Sequence, residues 1–487
     1  MKKWTALLSL ASIVSLTWTA SASAANASLI RAYEPDSLIK TDGSYWIWGG
    51  SQSVPTQVQG ITEAKASFPY HFIVQEDNSV WHWSRETPSS EAVLTQADEL
   101  KGLLSLQSLG KKLIALDTTG SVYTIPMADY EHPELGQITR NEALASVIDL
   151  TTFDVQYPLN NGGSQLVYLK KDGTVWSNSG AQPTIGAVKG LDHVIDVDRN
   201  MALKSDGTVW TWDGQSGHAA AQLKGLASIT SFKQSHYSRL AIDEESRLWF
   251  WGATITGFSD GTTLNEQTPT RLTSINDVKD AVVAERFMLV LTNSGKVYET
   301  SIERDKMPAN PTFKLLASDV SSFKEGWRHV IMQKTDGSLF GYGINKAAEL
   351  GYGDYEFEHL SPVPVQEPIS ITLNGEPVYL SSGVMTRNNQ SFVPLRSVFE
   401  KLGAKIAFNN ETKIATVERA TANGTKISIS IDTLRGDTTL NGQAVNLATK
   451  PFSVNGTSYL PLRFISEQLG AKVEWSQQQL KIIITMP

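Results

Sequence analysis

Carboxylates, imidazoles, guanidinium groups and indoles are the side chains on which a site could be built in this chain. Asp196 and Asp198 stand two apart, a spacing that puts both carboxylates on one face of a strand. Such a pair can do general acid–base work. With Arg199 adjacent, the simpler expectation is a solvated strand end. Eight histidines occur: His71, His82, His132, His193, His218, His236, His329 and His359. None stands in His-x-His or His-Glu-x-x-His, so no zinc-ligand spacing is present. A metal set would need two imidazoles from distant parts of the chain. The sequence has no Gly-x-Ser-x-Gly elbow, phosphate loop, dinucleotide fingerprint or Asp-x-Asp-x-Asp calcium loop. Cysteine is absent, which excludes disulfides, thiolate metal sites and thiol catalysis. The expectation is therefore no catalytic, cofactor-binding or metal residue, and no cofactor; binding residues stay unassigned.

The indoles are patterned. Nine of the 13 tryptophans fall in hairpin-like phrases: Trp46, Trp48, Trp81, Trp83, Trp176, Trp210, Trp212, Trp249 and Trp251. Members of a Trp-x-Trp pair share one sheet face. They could form an aromatic platform for sugars. Their return in almost every unit favours packing between repeats, because a binding site would break the repeat.

Those phrases define the first architecture. Leu203-Lys-Ser-Asp-Gly-Thr-Val-Trp-Thr-Trp212 has seven relatives, with turn positions at Gly43, Asn78, Gly120, Gly173, Gly207, Ser246, Gly295 and Gly337. Asp-Gly supplies the positive φ of a tight hairpin between two alternating runs. A short strand lies upstream of most hairpins (Val194 to Val197) and another downstream (Pro269 to Leu272). Four antiparallel strands every ~42 residues predict propeller blades over residues 29–366. The last unit runs Phe340-Gly-Tyr-Gly-Ile-Asn-Lys-Ala-Ala-Glu-Leu-Gly-Tyr-Gly-Asp354, then Ser361-Pro-Val-Pro-Val365. This resembles the repeat of the regulator-of-chromosome-condensation propellers at Gly343, Asn345, Leu350, Gly351 and Gly353. Ala348 and Glu349 depart from it. The resemblance implies a propeller, commonly of seven blades; eight hairpins leave seven or eight open. The family's nucleotide-exchange activity does not suit an acidic, exported chain. The loop from Gly341 to Asp354 is expected to lock the last blade on the first, with Asn345 and Glu349 bonding within it.

A second pattern fills residues 369–487. Leu373-Asn-Gly375 returns as Leu440-Asn-Gly442, Ser391-Phe-Val-Pro-Leu-Arg396 as Ser458-Tyr-Leu-Pro-Leu-Arg463, and Leu402-Gly-Ala-Lys405 as Leu469-Gly-Ala-Lys472, all at an offset of 67 residues. Asn-Gly marks a hairpin. Leu395, Val398, Phe399 and Leu402 trace one helix face, ended by Gly403. Each half reads as β-β-β-α-β-β. The pair resembles the N-terminal, stalk-like domain of copper amine oxidases, in the form common in secreted Gram-positive proteins. The oxidases' copper and quinone belong to a separate domain, absent here. Arg396 and Arg463 could bind a carboxylate or phosphate; the expectation is that each bonds a local carbonyl. Pro362, Pro364 and Pro368 suggest a linker over 355–368, open to limited proteolysis into fragments of about 38 and about 13 kDa.

Compartment and charge complete the reading. Lys2 and Lys3, the uncharged apolar run from Trp4 to Ala20 and Ala22-Ser23-Ala24 read as a signal peptide, residues 1–24, cut after Ala24. No later stretch approaches the length of a transmembrane span. The net charge of −8, with no basic run, excludes a nucleic-acid footprint. The fold class is thus mainly β: a seven- or eight-bladed propeller followed by a small α+β domain of two tandem repeats. The functional expectation is a secreted or cell-envelope binding or scaffold protein, its partner a protein or a cell-wall polysaccharide. The propeller would recognise and the C-terminal domain would space or anchor. The alternative is a polysaccharide hydrolase or lyase with carboxylates or histidines converging on the propeller channel. Copper binding would rest on the domain's name alone.

Overall fold

The computed structural model describes residues 29–486 except 130, 155–163, 179–184, 215–218, 236–237, 257–261, 421–423 and 425. The expected signal peptide, His218, His236 and the Asp260-Gly261 pair lie outside the described residues. The described strands form eleven sheets, eight of them in the repeat region.

Each hairpin phrase folds by a local device. Asp42 Oδ1 accepts the Ser44 backbone N–H at 3.0 Å and the Ser44 hydroxyl at 2.6 Å, and Ser44 Oγ accepts the Trp46 indole N–H at 2.9 Å. The same chain joins Asp172, Thr174 and Trp176, and Asp206, Thr208 and Trp210. A lysine six residues before the ring lies over it: Lys170 over Trp176 at 4.5 Å, Lys204 over Trp210 at 4.3 Å. All eight turn positions have positive φ, including the non-glycines Asn78 and Ser246. The turn carbonyl then accepts an N–H from the next sheet, Gly43 O from Ala64 and Gly207 O from Ile229. A Cβ on Gly207 would lie 2.8 Å from Ser228 Cα. Glycine thus serves both the turn and the close approach of the next sheet.

Eight sheets of four consecutive antiparallel strands result, spanning 30–57, 64–96, 105–140, 147–187, 194–222, 229–272, 278–317 and 320–364. Each neighbouring pair shares an apolar cluster, and a further cluster joins the eighth sheet to the first through Leu38, Trp46, Trp48, Ile331 and Leu350. The ring therefore closes at eight blades, deciding between the seven and eight left open above. Among the described residues no strand is exchanged at the closure. The loop after residue 344 supplies it: Trp48 Nε1 donates to Glu349 O at 2.9 Å, Gly50 N to Ala347 O at 2.7 Å, and Tyr355 OH to Gly50 O at 2.9 Å. Asn345 holds that loop by accepting Leu350 N at 2.9 Å and donating to Asp354 at 2.6 Å, while Glu349 accepts Ala347 N.

The stretch expected to be a linker is a strand instead. Glu358–Pro364 is the outermost strand of the eighth blade. Pro362 and Pro364 are tolerated there because an edge strand leaves half its N–H groups unpaired. Gln366 continues the fastening, donating from N to Gly351 O and accepting Thr386 N at 3.0 Å.

The C-terminal halves interlock. Ser370–Leu373 of the first half pairs in parallel with Lys481–Thr485 of the second, and Gln390–Pro394 pairs antiparallel with Thr457–Pro461. Lys405–Asn409, Ile414–Ala420, Lys426–Asp432, Thr438–Leu440 and Gln443–Val445 make a five-stranded sheet that crosses from one half into the other. Asn374-Gly375 and Asn441-Gly442 take the positive φ of their hairpins. The second half holds the helix Leu462–Gln468. The first half does not: residues 395–402 form successive turns, correcting the expected helix. The Leu402 N–H is shared between Val398 O and Phe399 O, and Ser397 N reaches Pro394 O, so three-residue bonds compete with helical ones. Leu395, Val398, Phe399 and Leu402 are nonetheless all buried in one core.

This second unit is fastened to the first blade. Val54 packs with Met385, Phe392 and Tyr459, Gly383 N donates to Thr56 Oγ1 at 2.8 Å, and buried Lys40 donates to Gln479 O at 3.1 Å. Among the described residues no helix is long and apolar enough to cross a membrane.

Candidate functional site

The first strand of each blade lines the centre of the ring. Ser235 of the sixth blade reaches Glu325 of the eighth at 3.0 Å, bypassing the seventh, which only the innermost strands can do. These strands carry the carboxylates that the sequence singled out. Asp196 and Asp198 lie on Val194–Asp198 and are half-buried, which corrects the expected solvated strand end. Burial, with the neighbouring Asp149 charge second, pushes the Asp196 carboxyl up to about 6. Burial also raises Asp149, Asp198 and Glu325. Asp198 lies within the electrostatic reach of Asp149, Lys233 and Arg199.

These groups already have bonds. Asp149 accepts Leu150 N at 2.7 Å, Asp198 accepts Gln234 N at 2.7 Å from the next blade, and Lys233 donates to Asp280 at 2.6 Å on the blade after that. Tyr33 OH and Ser322 Oγ are 2.7 Å apart across the closure. The channel is thus a polar ring that wires the inner strands together. Sequence reasoning noticed Asp196 and Asp198 but missed Asp149 and Glu325 on other blades. The phrase Val147-Ile148-Asp149, which returns as Val194-Ile195-Asp196, could have found Asp149, while Glu325 shares no motif with them.

At the channel mouth the start of the inner strand is bulged in seven of the blades, as at Val147/Asp149 and Val194/Asp196. The bulge turns one residue outward. On the fourth and fifth blades that residue is apolar, Ile148 at 47% and Ile195 at 55% exposure, and on the third Leu104, just before the inner strand, is 51% exposed. Equivalent positions elsewhere hold Arg31, Lys65 and Lys279. The sequence carries part of this signal: Val147-Ile148-Asp149 and Val194-Ile195-Asp196 are one phrase at equivalent places of two repeats, whereas Leu104 sits in Leu103-Leu104-Ser105.

The indoles divide by position. The second of each pair, Trp48, Trp83, Trp212 and Trp251, is buried between blades; of the first, Trp46 is buried and Trp81, Trp210 and Trp249 are half-buried against their own turns. They are core, not a sugar platform. His71 stacks on Trp83 with centroids 4.3 Å apart, and burial with the neighbouring His71 lowers His82 to about 4. Among the described residues one trio of ligand-type groups converges, Asp354, Glu356 and His359. There Asp354 Oδ1 is already held by Asn345 and lies 3.1 Å from His359 Nε2. Arg463 donates to Val473 O at 2.8 Å, the local carbonyl bond expected of it. Arg396 is exposed and makes no hydrogen bond among the described residues.

The fold and inner ring define an eight-bladed propeller carrying a two-repeat α+β unit. Comparison with known proteins finds the following likenesses. Residues 372–484 match the family model of the copper amine oxidase N-terminal domain. The chain is similar to the ultraviolet-B receptor UVR8 of Arabidopsis thaliana, with 28% identity over 141 residues, covering 26% of this chain. The chain spans about a third (32%) of that relative's length. Among solved structures, Prp20p of Saccharomyces cerevisiae, described with its binding to Gsp1p and histones, has 15% identity and a TM-score of 0.43 over 70% of this chain and 88% of that one. Human WBSCR16 has 16% identity and a TM-score of 0.38 over 58% and 89%. Both motif resemblances, to the condensation-regulator propeller and to the oxidase N-terminal domain, agree with these matches.

Proposed function

We propose that the chain is a non-catalytic binding or scaffold protein, secreted or held at the cell envelope after cleavage behind Ala24. The propeller recognises a protein partner at its channel mouth. The C-terminal unit spaces the propeller from the envelope or anchors it there through wall polysaccharide. One observation carries the reading: Leu104, Ile148 and Ile195 form an exposed apolar arc on three successive blades, beside a channel whose charged groups are bonded to the protein itself. Apolar side chains held outward together mark interaction surfaces. The test is capture of the source organism's secreted proteins by the mature chain and by an Ile148→Asp/Ile195→Asp variant of unchanged circular dichroism. Loss of a partner that the unaltered chain retains is expected. Equal capture by both removes the reading.

A second reading, a polysaccharide hydrolase or lyase, draws support from Asp149, Asp196 and Asp198 meeting in the channel, with Asp196 poised near 6. A carboxyl titrating there can serve as a general acid. It requires turnover of a wall or plant polysaccharide that Asp196→Asn abolishes.

A further inference from the structure

The two C-terminal halves control for one another. Whatever equivalent positions share serves the fold; where they differ, the residue is free for other work. Each half takes part in two clefts related by the offset of 67. In the smaller, about 240 Å³, residues 394–397 and Phe408 of the first half face residues 456–458 of the second. In the larger, about 630 Å³, residues 461–464 and Trp475 of the second half face residues 389–391 of the first.

The larger cleft has departed from its twin in one chemical direction. Trp475 stands where the twin has Phe408, Glu474 where it has Ala407, Gln477 where it has Asn410, and Asn389-Gln390 where it has Gly456-Thr457. The fold does not need these residues, because the other half makes its corresponding strands without them. Trp475 is 39% exposed, and Gln477 Oε1 accepts its indole N–H at 3.0 Å, holding the ring at the cleft wall. Arg463 is steadied by Val473 O at 2.8 Å and by Glu467. Thr386 also lines the cleft, and its buried hydroxyl has no hydrogen-bond partner.

Charge selects the ligand. Glu367, Glu467 and Glu474 line the cleft with Arg463, and two of these carboxylates are paired, Glu467 with Arg463 at 3.4 Å and Glu474 with Lys472 at 2.7 Å. A phosphodiester or polyuronate chain finds no unpaired cation among these lining residues to attract it. An open indole, side-chain amides and carboxylates match a neutral polyol, whose C–H face lies on an aromatic ring while its hydroxyls bond the rim.

We propose that this cleft binds a neutral glycan segment, one sugar ring stacked on Trp475 and its hydroxyls held by Glu474 and Gln390. The proposal rests on the reading of the C-terminal unit as the envelope anchor, and it names the chemistry of the anchor. The test is titration calorimetry of the full mature chain with soluble β-1,4-linked N-acetylglucosamine oligomers, neutral glucan oligomers and a polyuronate. One neutral oligomer is expected to bind and the polyuronate not. Trp475→Ala should weaken binding at least tenfold, Trp475→Phe less, and Arg396→Ala in the twin cleft not at all, with melting curves confirming that each variant folds. No binding of either neutral oligomer, tighter binding of the polyuronate, or unchanged affinity in Trp475→Ala overturns the proposal. Sedimentation with isolated cell walls separates it from the anchor reading. Wall binding that survives Trp475→Ala sinks the cleft and spares the anchor. Oligomer binding without wall binding sinks the anchor and spares the cleft.

Discussion

Asp196 sits in the inner ring with its carboxyl pushed up to about 6 by burial and by the Asp149 charge beside it. A carboxyl raised above its unfolded value is charged at a cost in the folded state at neutral pH. That cost disappears as pH falls through the folded value toward the unfolded one. Asp196→Asn should therefore stabilise the propeller at pH 7.5 by about 1–2 kcal/mol, a figure reduced for partial solvent screening. The gain should vanish at pH 4. Melting midpoints of both proteins across that range check it; a gain independent of pH would contradict the cause. His82 has the opposite sign. Its imidazole is lowered to about 4, so it stays neutral when folded while the unfolded chain protonates near the ordinary value. Its contribution is complete above about pH 6.5 and is lost as pH falls toward 4, on the order of 2–3 kcal/mol. His82→Leu should flatten the acid limb of the stability curve, measured by denaturant unfolding at pH 7 and 4.5. Neither shift was legible in the sequence, because each depends on which neighbours bury the group.

At the scale of elements, the Asp-Gly phrase was legible because all its bonds lie within a few residues. The turn carboxylate, the hydroxyl two residues on and the indole two beyond that form one hydrogen-bonded chain. The glycine-rich loop at the ring closure was legible in part. Its internal bonds follow from Asn345 and Glu349, but its seat on Trp48 does not. Gly351 has φ +59, and a Cβ there would lie 3.0 Å from both Trp48 Cγ and Val365 Cγ1. Gly351→Val should cost about 1–3 kcal/mol of backbone strain and lower the melting midpoint by about 2–6 °C. An unchanged midpoint would show that the closure does not depend on this packing. The segment 395–402 shows the limit of periodicity. Its apolar spacing reported burial correctly, while the winding of the chain was decided by which carbonyls its N–H groups could reach.

For the whole molecule, the contact between the two units changes what proteolysis should do. Residues 358–364 are paired in a blade and residue 366 is bonded on both sides, so a protease should leave 355–368 intact under native conditions. Fragments of about 38 and about 13 kDa from that cut would contradict the pairing. Gly383 is the sharper probe, since a Cβ there would lie 2.0 Å from Pro55 O. Gly383→Val should push the C-terminal unit off the first blade and split one calorimetric transition into two. A single unshifted transition would show that the contact carries no stability.

The sequence by itself determined what repeats: eight hairpins, a two-fold pattern at a constant offset, and the residue types that turn and pack. Repeats are legible because each unit meets the same local constraints again, and the chain records them at fixed spacing. Tertiary structure decided what repeats do to one another. Eight blades rather than seven follows from the apolar cluster that joins Ile331 and Leu350 to Leu38 and Trp48. The wired channel follows from inner strands of different blades meeting at the centre. The two unequal clefts arise because each half closes its neighbour's surface. Those outcomes depend on contacts between residues far apart in the chain, and no local spacing encodes them.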